Sequence, residues 1–541
     1  MCPSNEEEPR AAPLTDRAPH IAALHLPLDK LPDPLPIPVI ERPFDVVIRP
    51  PGSKSITNRA LLLAALADGT SELRGPLIDA DDSQVMLRAI QQLGAMVDIQ
   101  RAPNASSGSS VSVPALDIVR ITGVNGRWKI PSGETITLNL NNAGTATRFL
   151  TAAAILAPAD SGGIIIDGDA RMRERPIGEL VDALNHLHDP EPVVEYLGRG
   201  GYLPIHVHAE RIEWRAPSHI SFGRTLSSQF ISAMLQVGAF LPGGLKVTLP
   251  ASDVTSQTYV DMTIGLMARL GMRCIRNNPE DHALVEQVRD RVSLHGSGRD
   301  RNPYQTVSID PQCGQEHDQP RLPAFTLDIE PDASGATYFE AAATLFSNAK
   351  VTIQGLDLGP KGSLQGDTHF VAVLTAAGAR VERLSKALRV SGPSAIKPID
   401  FDLSDMPDTA MTAAVLACFA SPTPENPDAT STLRGLRTLR VKETDRLAAL
   451  QTELSKLGAK IEIFQDHNDE GLRITPPPPS PTSSLRHSVT PPLFFDTYND
   501  HRMAMALALI GLRRPNVFIR NPACVAKTYP TFWQDFARLY Q

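Results

Sequence analysis

Leu93-Gly94-Ala95-Met96-Val97 is the first of four segments of one kind, the others being Leu270-Gly271-Met272-Arg273-Cys274, Ala377-Gly378-Ala379-Arg380-Val381 and Leu457-Gly458-Ala459-Lys460-Ile461. In each, a helix-like stretch stops at a glycine suited to the left-handed C-cap, and residues suited to a strand follow. Upstream of the helices lie further strand-like pieces, such as Gly244-Leu245-Lys246-Val247-Thr248-Leu249 and Ala349-Lys350-Val351-Thr352-Ile353. Recurrence of this kind predicts an α/β protein of several like units packed into two related halves. An ordinary α/β protein with unrelated Leu-Gly caps is the other reading. The strands alternate partly between apolar and polar residues, which favours sheets with one face toward helices over a wholly buried parallel sheet. No Gly-x-Gly-x-x-Gly dinucleotide fingerprint follows an early strand.

At 541 residues the chain exceeds a comfortable single core, and two large domains are expected. A balance of 52 Lys and Arg against 60 Asp and Glu, net −8, argues against a nucleic-acid partner, which needs a basic footprint. Local basic segments inside an acidic chain point to small anionic ligands instead. No stretch approaches the roughly 20 apolar residues of a membrane span, and Met1 to Arg10 resembles neither a secretory signal nor a transit peptide. Cys2, Cys274, Cys313, Cys418 and Cys524 are too scattered for a disulfide framework or a zinc site, so a reducing, cytoplasmic setting is expected. Residues 1–42, rich in Pro, are expected as a mobile or surface-draped extension. Residues 277–323 and 475–490, the latter with a run of prolines, are expected as surface insertions.

Basic residues recur in short Gly/Ser/Thr/Asn-rich segments that run into apolar, helix-like stretches. In Pro51-Gly52-Ser53-Lys54-Ser55-Ile56-Thr57-Asn58-Arg59, free N–H groups at a helix start can hold an oxyanion, with Lys54 as a mobile charge and Arg59 as a fixed fork. The P-loop spacing is missing, so nucleotide hydrolysis is not implied. Asn141-Asn142-Ala143-Gly144-Thr145-Ala146-Thr147-Arg148 has small residues that let a ligand approach backbone amides, or is an Asn/Gly turn before a helix. Within Asp167-Gly168-Asp169-Ala170-Arg171-Met172-Arg173-Glu174-Arg175-Pro176, Arg171 is the candidate ligand contact and Arg173 and Arg175 are assigned to structure; a solvated salt-bridge loop is the alternative.

Ser227, Ser228 and Gln229 open an amphipathic segment and can accept and donate together, beyond what an N-cap requires. Ser256 and Tyr259 add hydroxyls before another helix. Lys442 and Arg446, spaced i and i+4, would share a helical face, a costly pairing unless an anion or carboxylate lies between them, and Glu443 beside them can move a proton. His501 and Arg502 precede an apolar helix, with Asp500 placed to orient the histidine. Lys527 stands alone. Asp332, Asp405 and Asp408 precede small-residue helices, where an acid either caps the helix or meets ligand hydroxyls. His186-Leu187-His188 and His206-Val207-His208 with Glu210 have alternate, strand-like spacing but no closing ligand set, so no metal is assigned.

PGSKSITNRA, NNAGTATR, RMRERP, RVKETDR and NDHRMAM together resemble the 3-phosphoshikimate 1-carboxyvinyltransferase (EPSP synthase) family. The resemblance implies a two-domain enolpyruvyl transferase-like fold, each domain built from three repeated βαβαββ units around an interdomain cleft. It implies one domain of 43–51 with 332–541 and an inserted domain of 52–331. It further implies that Lys54, Ser55, Arg59, Ser227, Ser228, Gln229, Ser256, Tyr259, Asp408 and Lys442 hold shikimate 3-phosphate. Lys54, Asn142, Gly144, Arg171, Gln229, Arg446, His501, Arg502 and Lys527 would surround phosphoenolpyruvate, with Lys54, Asp408 and Glu443 moving protons. No cofactor and no metal are implied, and a monomer is. Thr438 stands where the family often has Asn, and Phe149 where it commonly has Pro. UDP-N-acetylglucosamine enolpyruvyl transferase is the competing enzyme, disfavoured by Ser55 in place of Asn and by a 167–176 loop without cysteine; a catalytically silent phosphometabolite sensor is the competing class.

Overall fold

The computed structural model describes residues 17–102, 116–187, 191–211, 218–223, 225, 227–249, 256–277, 306–309, 322–356, 358, 362–466, 469–478 and 490–541. Gly94, Gly271, Gly378 and Gly458 have φ of 97°, 85°, 99° and 92°, and strands Met96–Gln100, Cys274–Asn277, Arg380–Leu384 and Lys460–Asp466 follow them. The left-handed glycine cap therefore stops the helix and turns the chain back onto its sheet at all four places.

Among the described residues the strands form five four-stranded sheets and one three-stranded sheet. One plan recurs. Ile136–Asn139 runs parallel to Ile164–Asp167 with a helix between them in sequence, and the hairpin of Val194–Tyr196 and Ile205–Val207 adds antiparallel strands. The sheets that begin at Ser218–Ser221 and at Asp400–Asp402 repeat it. In two sheets the first strand is exchanged: Asp45–Ile48 pairs with Lys350–Gln354, and Thr326–Asp328 with Thr70–Arg74.

This exchange separates two hydrophobic cores, one drawn from residues 56 to 329 and the other from 24 to 48 and 333 to 539. The chain passes between them where Gly52 bridges Pro331, with Ser53 N–H donating to the Glu330 carbonyl at 2.8 Å and Asp332 N–H to that of Pro51 at 2.8 Å.

Two expectations change. The segment before residue 43 is not draped from residue 17 onward: Leu35–Ile37 pairs antiparallel with Val517–Ile519, and Leu24, Leu35 and Ile37 are fully buried. Burying each such side chain is worth ~1.5–3 kcal/mol, enough to seat a Pro-rich segment. Within 277–323, Thr306–Ile309 is an inner strand between Leu245–Thr248 and Cys274–Asn277. The rest of that stretch lies outside the described residues apart from Asn277, Leu322 and Pro323, as do 479–489 of the other expected insertion.

Among the described residues, six helices are buried along nearly all of their length: Lys54–Leu66, Gly144–Ala153 and Ser228–Gly238 in one core, Ala333–Thr344, Ala410–Ala417 and His501–Gly511 in the other. Ala is the commonest residue in them, since a small side chain lets buried helices approach one another, and Leu and Met fill the space around it. Five of the six begin at or beside residues lining one cleft: Lys54, Gly144, Ser228, Asp408 and His501.

Candidate active site

The cleft gathers groups from both halves, among them Lys54, Ser55, Arg59, Gly144, Ser227, Ser228, Gln229, Ser256, Tyr259, Asp408, Lys442, Glu443, Arg446, His501 and Arg502. Converging helix N-termini carry partial positive charge and free N–H groups, so the cleft is electropositive before any side chain is counted.

Two buried carboxylates organise the cations. Asp408 accepts from Arg502 Nη2 at 2.7 Å, Arg446 Nη1 at 3.1 Å and Tyr259 Oη at 3.1 Å, with Lys442 Nζ 3.7 Å away. Burial pushes its pKa up, but Arg502, Lys442 and Arg446 together hold it well below the usual carboxylate range. Glu443 accepts from Arg446 Nη2 at 3.0 Å and lies 3.1 Å from Lys527 Nζ. Burial again opposes ionisation, and Lys527, Arg446 and Arg175 overcome it, so this carboxyl too lies well below its ordinary value. Arg446 is held from behind by Asp500 at 2.7 Å, and burial is outweighed there by Asp500, Glu443 and Asp408, which raise its pKa.

Lys442 and Arg446 do not share a helical face: Lys442 ends the short 3-10 helix Arg437–Val441 and Arg446 begins the helix capped by Asp445. They come together on Asp408 instead. Asp500 makes no hydrogen bond to His501, its Oδ1 lying 3.8 Å from the ring Nδ1. Its carboxylate caps Arg502 N–H at 2.9 Å and grips Arg446, while both His501 ring nitrogens are buried without a hydrogen-bond partner. Burial, then Arg502 and Lys54, keep that ring neutral well below its ordinary pKa.

Arg59, expected to meet an oxyanion as a fixed fork, lines the cleft but commits its guanidinium to Thr263 Oγ1 at 2.7 Å and to the carbonyls of Ser55 at 2.9 Å and Tyr259 at 3.1 Å. Burial lowers its pKa to about 10. It ties the Ser55 and Tyr259 backbones together. Lys54 Nζ pairs with Asp82 at 3.1 Å. Ser227 caps its helix at Gln229 N–H, Gln229 reaches Thr145 Oγ1 at 3.3 Å, and Ser256 sits in the left-handed region at φ 57°.

Arg171 and Asn142 do not line the cleft, and Lys527 meets it through Glu443, 3.1 Å from its Nζ. Arg171 spans the two halves, donating to the carbonyls of Glu443 and Lys442 at 3.0 Å each. Lys527 Nζ donates to the Asn142 carbonyl at 3.0 Å. Arg175, assigned to structure from the sequence, lines the cleft with Arg148; it donates to Asn142 Oδ1 at 3.1 Å, and its Nε is buried without a partner. Arg173 is structural, paired with Asp167 at 2.6 Å. Asp82, Thr145 and Thr438 also line the cleft. Nothing local in the sequence marks Asp82, whereas Arg148 and Arg175 already stood in segments dense in function.

His186 ends a helix rather than lying on a strand, and residue 188 lies outside the described residues. His208 places one ring nitrogen 3.1 Å from Glu195 and the other 3.0 Å from Glu210, leaving neither for a metal. Among the described residues no helix is long and apolar enough to cross a membrane.

Repeated α/β units in two cores, with a cation-rich cleft between them, make up the enolpyruvyl transferase fold. The EPSP synthase from Acinetobacter baumannii matches with a TM-score of 0.63 at 21% identity, over 92% of this chain and 96% of that one. The enolpyruvyl transferase NikO from Streptomyces tendae matches with a TM-score of 0.60 at 16% identity, over 94% and 98%. The sequence is more specific: the model of the EPSP synthase (3-phosphoshikimate 1-carboxyvinyltransferase) family matches residues 40–296 and 305–536. The 3-phosphoshikimate 1-carboxyvinyltransferases of Herminiimonas arsenicoxydans and Laribacter hongkongensis are 36% and 38% identical, covering 91% and 90% of this chain and 94% and 95% of theirs. The chain belongs to the EPSP synthase family.

Proposed function

We propose that this cleft transfers the enolpyruvyl group of phosphoenolpyruvate to the 5-hydroxyl of shikimate 3-phosphate, the reaction its family membership assigns, releasing phosphate. The observation that carries the site assignment is the meeting of Asp408 and Glu443, both held ionised, with Arg446, Arg502, Lys442 and Lys527 beneath converging helix N-termini. Two anionic substrates entering such a place replace protein carboxylates as partners of the cations, and the cations then stabilise the departing phosphate without reorganising.

During the reaction C3 of phosphoenolpyruvate gains a proton, C2 becomes electrophilic, and the 5-hydroxyl oxygen bonds to C2 as its proton leaves. The tetrahedral intermediate then expels phosphate and gives up a C3 proton. Asp408 is in the protonation state needed to accept the hydroxyl proton. Glu443 is assigned to C3. In the unliganded cleft it is a carboxylate, so it must take up a proton once substrate draws Lys527 and Arg446 away. Lys54 assists the leaving group. Ser227, Ser228 and Ser256 fit the shikimate phosphate, and the buried, unpartnered Thr438 hydroxyl is available to a substrate hydroxyl. Arg175 joins the phosphoenolpyruvate side through its unpartnered Nε, and the chain acts as a monomer.

Phosphate release from phosphoenolpyruvate, measured separately with shikimate 3-phosphate and with UDP-N-acetylglucosamine, tests this. Release with the first alone is expected; release with the second, or with neither, would overturn it.

A further inference from the structure

The helix Gln257–Arg269 is tied to the other half of the molecule at both ends, at the cleft and at the passage between the cores. At its start Tyr259 Oη donates to Asp408 at 3.1 Å, and Thr258 Oγ1 donates to the Asp405 carbonyl. At its finish Arg269 Nη1 donates to Glu330 at 2.8 Å and Nη2 to the Gly362 carbonyl at 3.1 Å. Glu330 lies on the second passage between the cores. Its carboxylate also accepts from Ser363 Oγ at 2.5 Å, Leu364 N–H at 3.1 Å and Gln365 Nε2 at 3.3 Å.

Gln365 completes the joint. Buried to 5% exposure, it donates to the Pro331 carbonyl at 2.8 Å and accepts from Ala333 N–H at 2.9 Å. The contact between the helix and residues 362–369 is close: a Cβ on Gly366 would lie 2.4 Å from Thr258 Cβ, which leaves room only for glycine, and one on Gly265 would lie 2.7 Å from the end of the Leu364 side chain. Pro50, Pro51 and Pro331 stiffen the two passages themselves. Thirteen residues of helix span about 20 Å, so one rigid element reaches from the passage to the cleft.

We infer that Gln257–Arg269 is a strut, and that Glu330 is a positioning residue which, through Arg269 and residues 363–365, sets where Ser256 and Tyr259 stand relative to Asp408. Glu330 touches no reacting group; it acts on the angle between the halves.

A double-mutant cycle of Glu330→Gln and Tyr259→Phe tests the inference, with kcat and KM measured for both substrates. Distant residues without shared partners normally act independently. For a strut, Glu330→Gln lowers kcat about tenfold and raises KM for shikimate 3-phosphate through Ser256 with little change in that for phosphoenolpyruvate, and the double variant is hardly worse in kcat than the poorer single one. Multiplying losses would overturn the inference. A second readout is independent of turnover: amide exchange over residues 260–264 of the unliganded protein is expected to quicken in Glu330→Gln, and unchanged exchange there would also overturn it. Should Glu330→Gln fail to fold, Arg269→Gln, at the partly exposed end of the same contact, serves in both arms. Inactivity of the parent protein with both substrates would count against the reaction assignment, while the exchange arm would still judge the strut.

Discussion

Gly144 stands directly against Arg175: a Cβ added at Gly144 would lie 2.8 Å from Nη2 and 2.9 Å from Nη1 of that guanidinium. The missing side chain is what lets a buried arginine lie along the start of the helix Gly144–Ala153. Gly144→Ala is expected to fold normally, because the far end of a side chain can move. The displaced Arg175 should raise KM for phosphoenolpyruvate about tenfold, with a smaller change for shikimate 3-phosphate. Equal KM changes for the two substrates would place Arg175 elsewhere in the chemistry.

Asp408→Asn removes the carboxylate shared by Arg446, Arg502, Lys442 and Tyr259. Turnover is expected to fall about 100- to 10,000-fold, the range for losing a proton-transfer group. Buried cations left short of a partner also destabilise the fold, which calorimetry would record as a lower Tm. Inorganic phosphate should restore part of that Tm, since it supplies the missing negative charge.

Glu443→Gln separates charge from proton transfer. Isotope exchange at C3 of phosphoenolpyruvate, followed before the steady state, should be lost in this variant. Normal exchange would remove Glu443 from its assigned role.

Arg171→Ala should lower kcat by up to about a hundredfold, the range for a small misplacement of catalytic groups, because Arg171 holds the Lys442 and Glu443 carbonyls rather than facing the cleft. Its effect would come from holding the 442–443 segment against the opposite half. Near-parent turnover and affinities would show that this bridge is dispensable.

Glu340, buried within the helix Ala333–Thr344, has its pKa pushed up to about 8 by burial. The folded state therefore holds a proton that the unfolded chain releases near pH 4.3, and stability declines as pH rises from there through about 8. Glu340→Gln should flatten that decline and be more stable than the parent at pH 8, with little difference at pH 4. Denaturant unfolding at the two pH values decides it.

Much of the local architecture was legible in the residues. Gly94, Gly271, Gly378 and Gly458 announced their caps, and Asp332 and Asp500 stand at helix starts where their carboxylates accept from Gly335 and Arg502 N–H. Such contacts close within a few residues, so neighbours in sequence specify them. The segments carrying the cleft were legible for the same reason, because a helix N-terminus with small residues and a cation is a local device.

The tertiary structure alone decided which groups in those segments face the cleft. Arg171, in the short helix Ala170–Arg173, and Arg175, just past its end, lie four residues apart, yet one bridges to carbonyls some 270 residues away, at separations of 271 and 272, while the other lines the cleft. Asp82 became the partner of Lys54, Leu35–Ile37 found its strand at the far end of the chain, and Asp45–Ile48 exchanged places with Thr326–Asp328. Periodicity and capping are set by backbone geometry over a turn or two. A buried charge is settled by whichever partner the folded chain brings within about 3 Å, and that partner can come from anywhere in it.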